Sequence, residues 1–249
     1  MSDVYAVIGG SGLYALGENF RVESSKKIKT PYGDVSSDLI VGEFNGCRII
    51  FLTRHGASHH IPPHKINYRA NLWALNTMEV SHIIAINAVG GIDHGPRSLV
   101  LPDQIIDYTS GRCHTFSDGA ELDGEKTEVN HIDFSFPYSQ TLRKNIIRAS
   151  QAQGIDLNTS GTYGCTNGPR LETIAEIRKM QNDGCSIIGM TGMPEAALAR
   201  ELEIEYASIG LVVNWCAGLE NSILSMDAIR HELEQGMTSV IQLIRATLE

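Results

Sequence analysis

Basic residues are scarce in this sequence: 20 Lys and Arg stand against 29 Asp and Glu in 249 residues, a formal charge of −9. A surface of that sign repels nucleic-acid backbones and anionic lipid heads alike, so no nucleic-acid or membrane partner is expected. Long apolar runs are missing too, none approaching the roughly 18 residues of a membrane-spanning helix. The opening Met1-Ser2-Asp3 lacks the basic n-region of a signal peptide, and the cytoplasm is the expected compartment. Cys47, Cys113, Cys165, Cys185 and Cys216 are odd in number and form no C-x-x-C pair. That pattern argues against a disulfide framework and against a cysteine-rich zinc site. No linker rich in Gly, Pro or Ser, no repeat and no block of like charge divides the chain, so one domain spanning residues 1–249 is the simplest organisation. Signatures of other enzyme classes are absent as well: G-x-x-x-x-G-K-[ST], G-x-S-x-G and H-E-x-x-H.

What is present is a chain 42% apolar, ample for a large core. Short apolar runs at Val4 to Ile8, Arg48 to Leu52, Ile83 to Asn87, Gln104 to Asp107, Ser186 to Met190 and Tyr206 to Val213 read as buried strands. Between them, Leu142, Ile146 and Ala149, and then Leu171, Ile174, Ile177 and Met180, recur with helical period. The class is α/β. Gly168-Pro169-Arg170-Leu171-Glu172-Thr173 is expected to open one helix, and Pro194, whose missing N–H is harmless at a first helical position, to begin another with Glu195 favouring its positive end. Apolar residues from Met226 through Ile229 to Leu248, behind Ser225 as N-cap, predict a long terminal amphipathic helix. The polar stretch Ser110 to Asn130 reads as a long loop.

Several segments carry chemistry. Val4 to Ile8 runs into Gly9-Gly10-Ser11-Gly12, a composition that lets backbone N–H groups surround an anion, although a plain tight turn explains the glycines as well. Gly10, Gly12 and Ala15 satisfy G-x-G-x-x-A, but Gly17 and Asn19 interrupt the long helix a dinucleotide fold needs. Arg54-His55 follows a strand at its carboxyl end, where open α/β sheets bind ligands and a planar fork of donors suits phosphate. His55, His59, His60 and His64 suggest a metal site, yet Pro62 and Pro63 break any helix that would align them, and no carboxylate or thiolate lies among them, so no metal is expected. Asn214, just after a strand, either turns the chain or reads a heterocycle by donating and accepting at once.

In order along the chain, Ile8-Gly9-Gly10-Ser11-Gly12-Leu13, Thr30-Pro31-Tyr32-Gly33, Arg54-His55-Gly56, Asn67 to Leu75, Gly168-Pro169-Arg170, Met190-Thr191 with Met193-Pro194-Glu195, and Tyr206 to Ile209 resemble the trimeric nucleoside phosphorylases, most closely their methylthioadenosine phosphorylase branch. The resemblance covers nearly the whole chain. It implies a mixed, barrel-like central sheet flanked by helices, a homotrimer with sites near subunit contacts, and phosphorolysis of a purine nucleoside with no cofactor, inorganic phosphate being a co-substrate. It also implies phosphate contacts from Ser11, Arg54, His55, Ala88 through its backbone, and Thr191. Met190 would pack on the ribose and Leu171 replaces the usual aromatic residue beside the base. Met226 and Ile229 would surround a methylthio group that His131 reaches from a neighbouring subunit, although an amphipathic helix wants apolar residues there in any case. Asn87 stands where the methylthioadenosine enzymes usually carry threonine.

Two departures bear on the base. The Asp-x-Asp pattern that suits a 6-amino purine is replaced by Asn214-Trp215-Cys216, and Glu172 follows the Gly-Pro motif as in the inosine and guanosine phosphorylases. An amide N–H and a carboxylate complement the O6 acceptor and N1 donor of hypoxanthine, whereas adenine presents the opposite order. The expected substrate is therefore a 6-oxopurine nucleoside with a methylthio sugar, with Asn214 as the catalytic residue that stabilises the leaving base. Methylthioadenosine phosphorolysis and ordinary inosine or guanosine phosphorolysis are the near alternatives. A nicotinamide-dependent oxidoreductase or a non-catalytic nucleoside-binding protein would be the readings from other classes.

Overall fold

Successive residues of the apolar runs point to opposite faces of one sheet and are buried on both, the pattern of strands enclosed between two helical layers. A computed structural model describes residues 3–10, 20–44, 46–122, 125–220 and 225–249. Its strands are β1 (Val4–Gly9), β2 (Phe20–Lys26), β3 (Lys29–Thr30), β4 (Gly33–Asp34), β5 (Leu39–Phe44), β6 (Cys47–Thr53), β7 (His82–Gly91), β8 (Leu99–Val100), β9 (Gln104–Asp107), β10 (Glu121–Leu122), β11 (Glu125–Lys126), β12 (Leu157–Asn158), β13 (Thr162–Cys165), β14 (Ile187–Gly189) and β15 (Glu205–Trp215). The helices are α1 (Tyr68–Thr77), α2 (Gln140–Gln153), α3 (Ile174–Asn182), α4 (Glu195–Glu201) and α5 (Met226–Thr247).

Ala6 and Ile8 of β1, Ile50 and Leu52 of β6, and Ile83 and Ala85 of β7 pack with Leu72 and Leu75 of α1 and Leu198 and Ala199 of α4. The alternate residues Val7, Ile49, Phe51, Ile84 and Ile86 face the other way, onto Leu142 and Ile146 of α2 and Val240, Leu243 and Ile244 of α5. Full burial of each such side chain is worth roughly 1.5–3 kcal/mol, so the two layers fix which end of every strand meets which loop.

Among the described residues the main sheet is mixed and 11-stranded, with the order β12-β8-β15-β7-β1-β6-β5-β2 along its main path. β1 runs parallel to β6 and β7, and β15 parallel to β7. β5 is antiparallel to β6 and β2. A branch leaves β7 at its far end, where β14 pairs antiparallel with Gly90 and Gly91 and continues through β13 to β9. The α/β class is as the sequence pattern predicts, and the central mixed sheet flanked by helices is as the family resemblance implies.

The pairing of β1 with β7 ends at Ile8↔Ala85, and that of β14 begins at Ile188↔Gly90. Ile86 to Val89 therefore have no strand beside them on that edge among the described residues. The carboxyl ends of β1, β6 and β7 converge on this opening, the place where α/β sheets bind ligands.

Three boundaries differ from expectation. Helix α3 starts at Ile174 and not within Gly168 to Thr173, because Thr173 forms a capping box: its Oγ1 accepts from Glu176 N at 3.2 Å while Glu176 Oε2 accepts from Thr173 N at 2.7 Å. Two backbone donors satisfied together outweigh the attraction of the Glu172 carboxylate to a positive helix end. Arg170, Leu171 and Glu172 thus lie on a loop ahead of the helix, with Arg170 paired to Glu176 at 2.7 Å. Pro194 is the N-cap of α4 rather than its first helical residue. The stretch Ser110 to Asn130 is mostly loop but includes the hairpin β10–β11.

Candidate active site

Arg54 follows β6, and its backbone N–H donates to Gly9 O of β1 at 3.0 Å, which ties the ends of the two strands together beside the opening. The side chain is 2% exposed and turns inward. Nε and Nη2 donate to the two carboxylate oxygens of Glu195, both at 2.8 Å, and Nη1 donates to Ile86 O at 3.1 Å. Burial alone would lower the guanidinium pKa, but the adjoining Glu195 carboxylate outweighs it and drives the pKa up. Of the five N–H groups of the fork, three are committed; one on each Nη remains for a ligand in the opening. Glu195 is fully buried and also accepts from Tyr206 Oη at 2.9 Å.

His55 is the next residue. Its Nδ1 lies 2.9 Å from Ile61 O, and a carbonyl only accepts, so Nδ1 carries the proton. Burial, then the neighbouring Arg54 charge, lower its pKa to about 4. A neutral imidazole with a bare Nε2 follows, an acceptor rather than a cation. Of the other histidines, His59 lies against the His55 ring at 4.6 Å and His60 Nδ1 sits 2.9 Å from Ser58 Oγ. His64 is exposed.

From the other side the opening is bounded by Thr191, just past β14. Its hydroxyl donates to Asn87 Oδ1 at 2.9 Å, and Asn87 Nδ2 donates to Ser208 Oγ at 2.6 Å. All three are buried, so Asn87 is a brace that fixes the Thr191 side chain against β7 and β15. Ala88 is exposed within an otherwise buried strand, with its backbone at the unpaired edge. Arg54, His55, Ala88 and Thr191 are thus brought to one opening; Ser11 lies outside the described residues.

The far end of the opening is built around Gly90. The pairing of β15 with β7 shifts between Val212 and Asn214, which then sits opposite Gly90. A Cβ at Gly90 would stand 2.7 Å from Cys216 Sγ and 3.4 Å from Asn214 Nδ2, so only glycine lets these side chains approach β7. Asn214 Nδ2 donates to Trp215 O at 2.8 Å, which holds the amide in place and leaves Oδ1 and one N–H free to face a ligand. Glu172 reaches the same region: Thr166 Oγ1 donates to its Oε1 at 2.6 Å, and its charge, after burial, helps push the Cys216 thiol pKa up to about 12. Met190 is half-buried and abuts Gly168, whose φ of +61° suits glycine. Leu171 is 42% exposed on the same loop.

Met226 is 60% exposed in the first turn of α5, so it is not a core residue. Ile229, one turn on, is partly buried against the α2 and α5 layer. His131 lies on an exposed segment, and no hydrogen bond among the described residues joins it to the other candidates.

Two residues escaped the sequence reading. Glu195 was expected to serve the helix dipole, yet it holds Arg54; the signal available was its place directly after Met193-Pro194. Arg112 lies in the loop after β9 and donates to the backbone carbonyls of Thr166, Asn167, Met190 and Met193, with nothing in its polar surroundings to announce it.

Residues 4–249 match the family described as the Phosphorylase superfamily. The chain is 49% identical over 95% of its length to a probable S-methyl-5'-thioinosine phosphorylase of Pseudomonas syringae pv. tomato, covering 95% of that protein. It is 44% identical over 98% of its length to the 6-oxopurine nucleoside phosphorylase of Pyrococcus furiosus, covering 91% of it. A crystal structure of methylthioadenosine phosphorylase from an antarctic soil metagenomic library superposes with a TM-score of 0.89 at 37% identity, covering 99% of this chain and 85% of that one. A match over 246 residues of sequence, together with a shared sheet and helix arrangement, leaves one conclusion: this chain belongs to the phosphorylase superfamily.

Proposed function

We propose that this protein cleaves S-methyl-5'-thioinosine with inorganic phosphate, releasing hypoxanthine and 5-methylthioribose 1-phosphate in nucleoside salvage. The observation that carries the reading is the convergence of Asn214 and Glu172 at Gly90 and Cys216, an amide and a carboxylate suited to a 6-oxopurine. Similarity to a probable S-methyl-5'-thioinosine phosphorylase and to a 6-oxopurine nucleoside phosphorylase supports it.

The residues then divide the work. The two uncommitted N–H groups of Arg54, the Ala88 backbone, Thr191 and Ser11 hold the phosphate, and the bare Nε2 of His55 accepts a phosphate O–H. The C1'–N9 bond breaks through an oxocarbenium-like state and its electrons pass to the purine. A phosphate oxygen forms the new C1'–O bond, and the proton carried by hydrogenphosphate ends on the base. Asn214 stabilises the departing purine at N7 and O6, while Glu172 accepts from N1 and Leu171 lies beside the ring. Met190 packs on the ribose, and Met226 and Ile229 surround the methylthio group. His131 reaches that group from a neighbouring subunit of a homotrimer, and the enzyme works in the cytoplasm with neither metal nor organic cofactor.

An inosine and guanosine phosphorylase shares this base site and differs at the 5' end, where Met226 and Ile229 leave a hydroxyl unpaired. Methylthioadenosine phosphorylase shares the sugar end and differs at Asn214. The test is incubation of methylthioinosine with and without phosphate. Phosphate-dependent formation of hypoxanthine and a sugar 1-phosphate is the expected result; equal rates giving free sugar would overturn the reading.

A further inference from the structure

Arg112 sits where the ends of two adjacent parallel strands present their carbonyls. Nη2 donates to Thr166 O at 3.2 Å and Asn167 O at 3.1 Å, beyond β13, and to Met190 O at 2.9 Å, beyond β14. Nη1 donates to Met193 O and to Tyr68 Oη at 3.3 Å, and the guanidinium carbon lies 5.3 Å from the centroid of the Tyr68 ring. Tyr68 Oη in turn donates to Pro63 O at 3.2 Å, on the segment that leads away from His55. No carboxylate among the described residues forms an ion pair with Arg112, and its Nε is buried without a partner. A cation compensated by carbonyl dipoles rather than a counter-ion is a poor way to gain stability, since an ion pair or an apolar side chain would serve better.

What the arrangement does fix is distance. Thr166, held through its carbonyl, donates through its hydroxyl to Glu172; Met190, held likewise, precedes Thr191, which is braced on Asn87. We propose that Arg112 is a positioning residue whose planar fork sets the spacing between the carboxylate of Glu172, which reads the base, and the phosphate-facing segment at Thr191. The residue touches no reacting atom; it acts through Thr166 and Met190. The inference rests on the function proposed above, because spacing matters where base and phosphate must be held in line across one glycosidic bond, and misplacement by about 1 Å costs on the order of 100-fold in rate.

Arg112→Ala and Arg112→Lys test it. The ammonium of lysine keeps the charge, but its three donors on a single atom cannot reach the carbonyls that the fork spans. Both variants are expected to lose 10- to 100-fold in kcat/KM for methylthioinosine, and millimolar guanidinium ion is expected to restore activity to Arg112→Ala by at least fivefold. Amide hydrogen exchange in residues 166–172 and 190–193 should quicken in both variants, while α2 and α5 keep wild-type protection. Lysine performing as well as arginine would overturn the proposal, as would a folded alanine variant within twofold of wild type or a loss that guanidinium ion leaves untouched. If alanine prevents folding, the lysine variant carries the kinetic and exchange tests alone. Exchange is read without substrate, so an inactive wild-type protein would count against the proposed function and leave the clamp to be judged by exchange.

Discussion

Nε and Nη2 of Arg54 face the two carboxylate oxygens of Glu195 at 2.8 Å each, a parallel pair of charged hydrogen bonds with both side chains removed from solvent. With Nη1 also donating to Ile86 O, the guanidinium is held at one fixed angle beside β7, and the arginine is a part of the core.

With Arg54 binding phosphate as proposed, stability and phosphate use are expected to be linked at this pair. Glu195→Gln leaves a buried cation short of its partner and should cost about 3–5 kcal/mol of unfolding free energy. Arg54→Ala should cost a similar amount in addition to weakening phosphate use by roughly 1.5–3 kcal/mol. The double replacement Arg54→Met with Glu195→Leu, judged by urea denaturation and by the phosphate dependence of kcat/KM, should regain stability without regaining phosphate use.

His55 predicts a pH dependence with a definite sign. Its pKa falls from 6.5 in the unfolded chain to about 4 in the fold, so the unfolded state takes up the proton first. The stabilisation from a neutral His55 is complete above pH 6.5 and is lost as the pH falls towards 4, by at most about 3 kcal/mol. Urea titrations across that range should show a shallower decline for His55→Gln than for the wild type, and an unchanged slope would contradict the assignment.

Met226 is 60% exposed in the first turn of α5, so replacing it should leave the thermal transition in place. Met226→Ser should instead reduce the preference for methylthioinosine over inosine. Burial of one methyl-sized group is worth on the order of 1–3 kcal/mol, and the selectivity ratio should drop by about tenfold. Competitive assays with the two nucleosides provide the measurement.

The strands were legible because β1, β6, β7 and β15 are buried on both faces and read as unbroken apolar runs; edge strand β2, mostly exposed, carries no such signal. The start of α5 is legible from Ser225, whose hydroxyl caps Ala228 N, whereas the start of α3 is not, because Glu172 offers the same acidic first-turn signal as Glu176, the true partner of Thr173. Local chemistry placed Arg54, His55 and Thr191 at strand ends, where the opening forms. The partners of these groups could not be read, since Glu195 is 141 residues from Arg54 and Thr191 is 104 from Asn87. Such pairs are made by the sheet, which lays β1 between β6 and β7, and by α4, which packs back onto these strands.

Base recognition is tested most directly by comparing kcat/KM for methylthioinosine and methylthioadenosine in the wild type and in Asn214→Asp. Adenine would set its amino group against the Asn214 N–H and its bare N1 against Glu172, leaving buried polar atoms unpaired. Mismatches of that kind discriminate by up to about 10⁴-fold. The wild type is expected to prefer methylthioinosine strongly, and the preference is expected to shrink in Asn214→Asp as the new carboxylate repels O6. Equal use of both nucleosides by the wild type would contradict it.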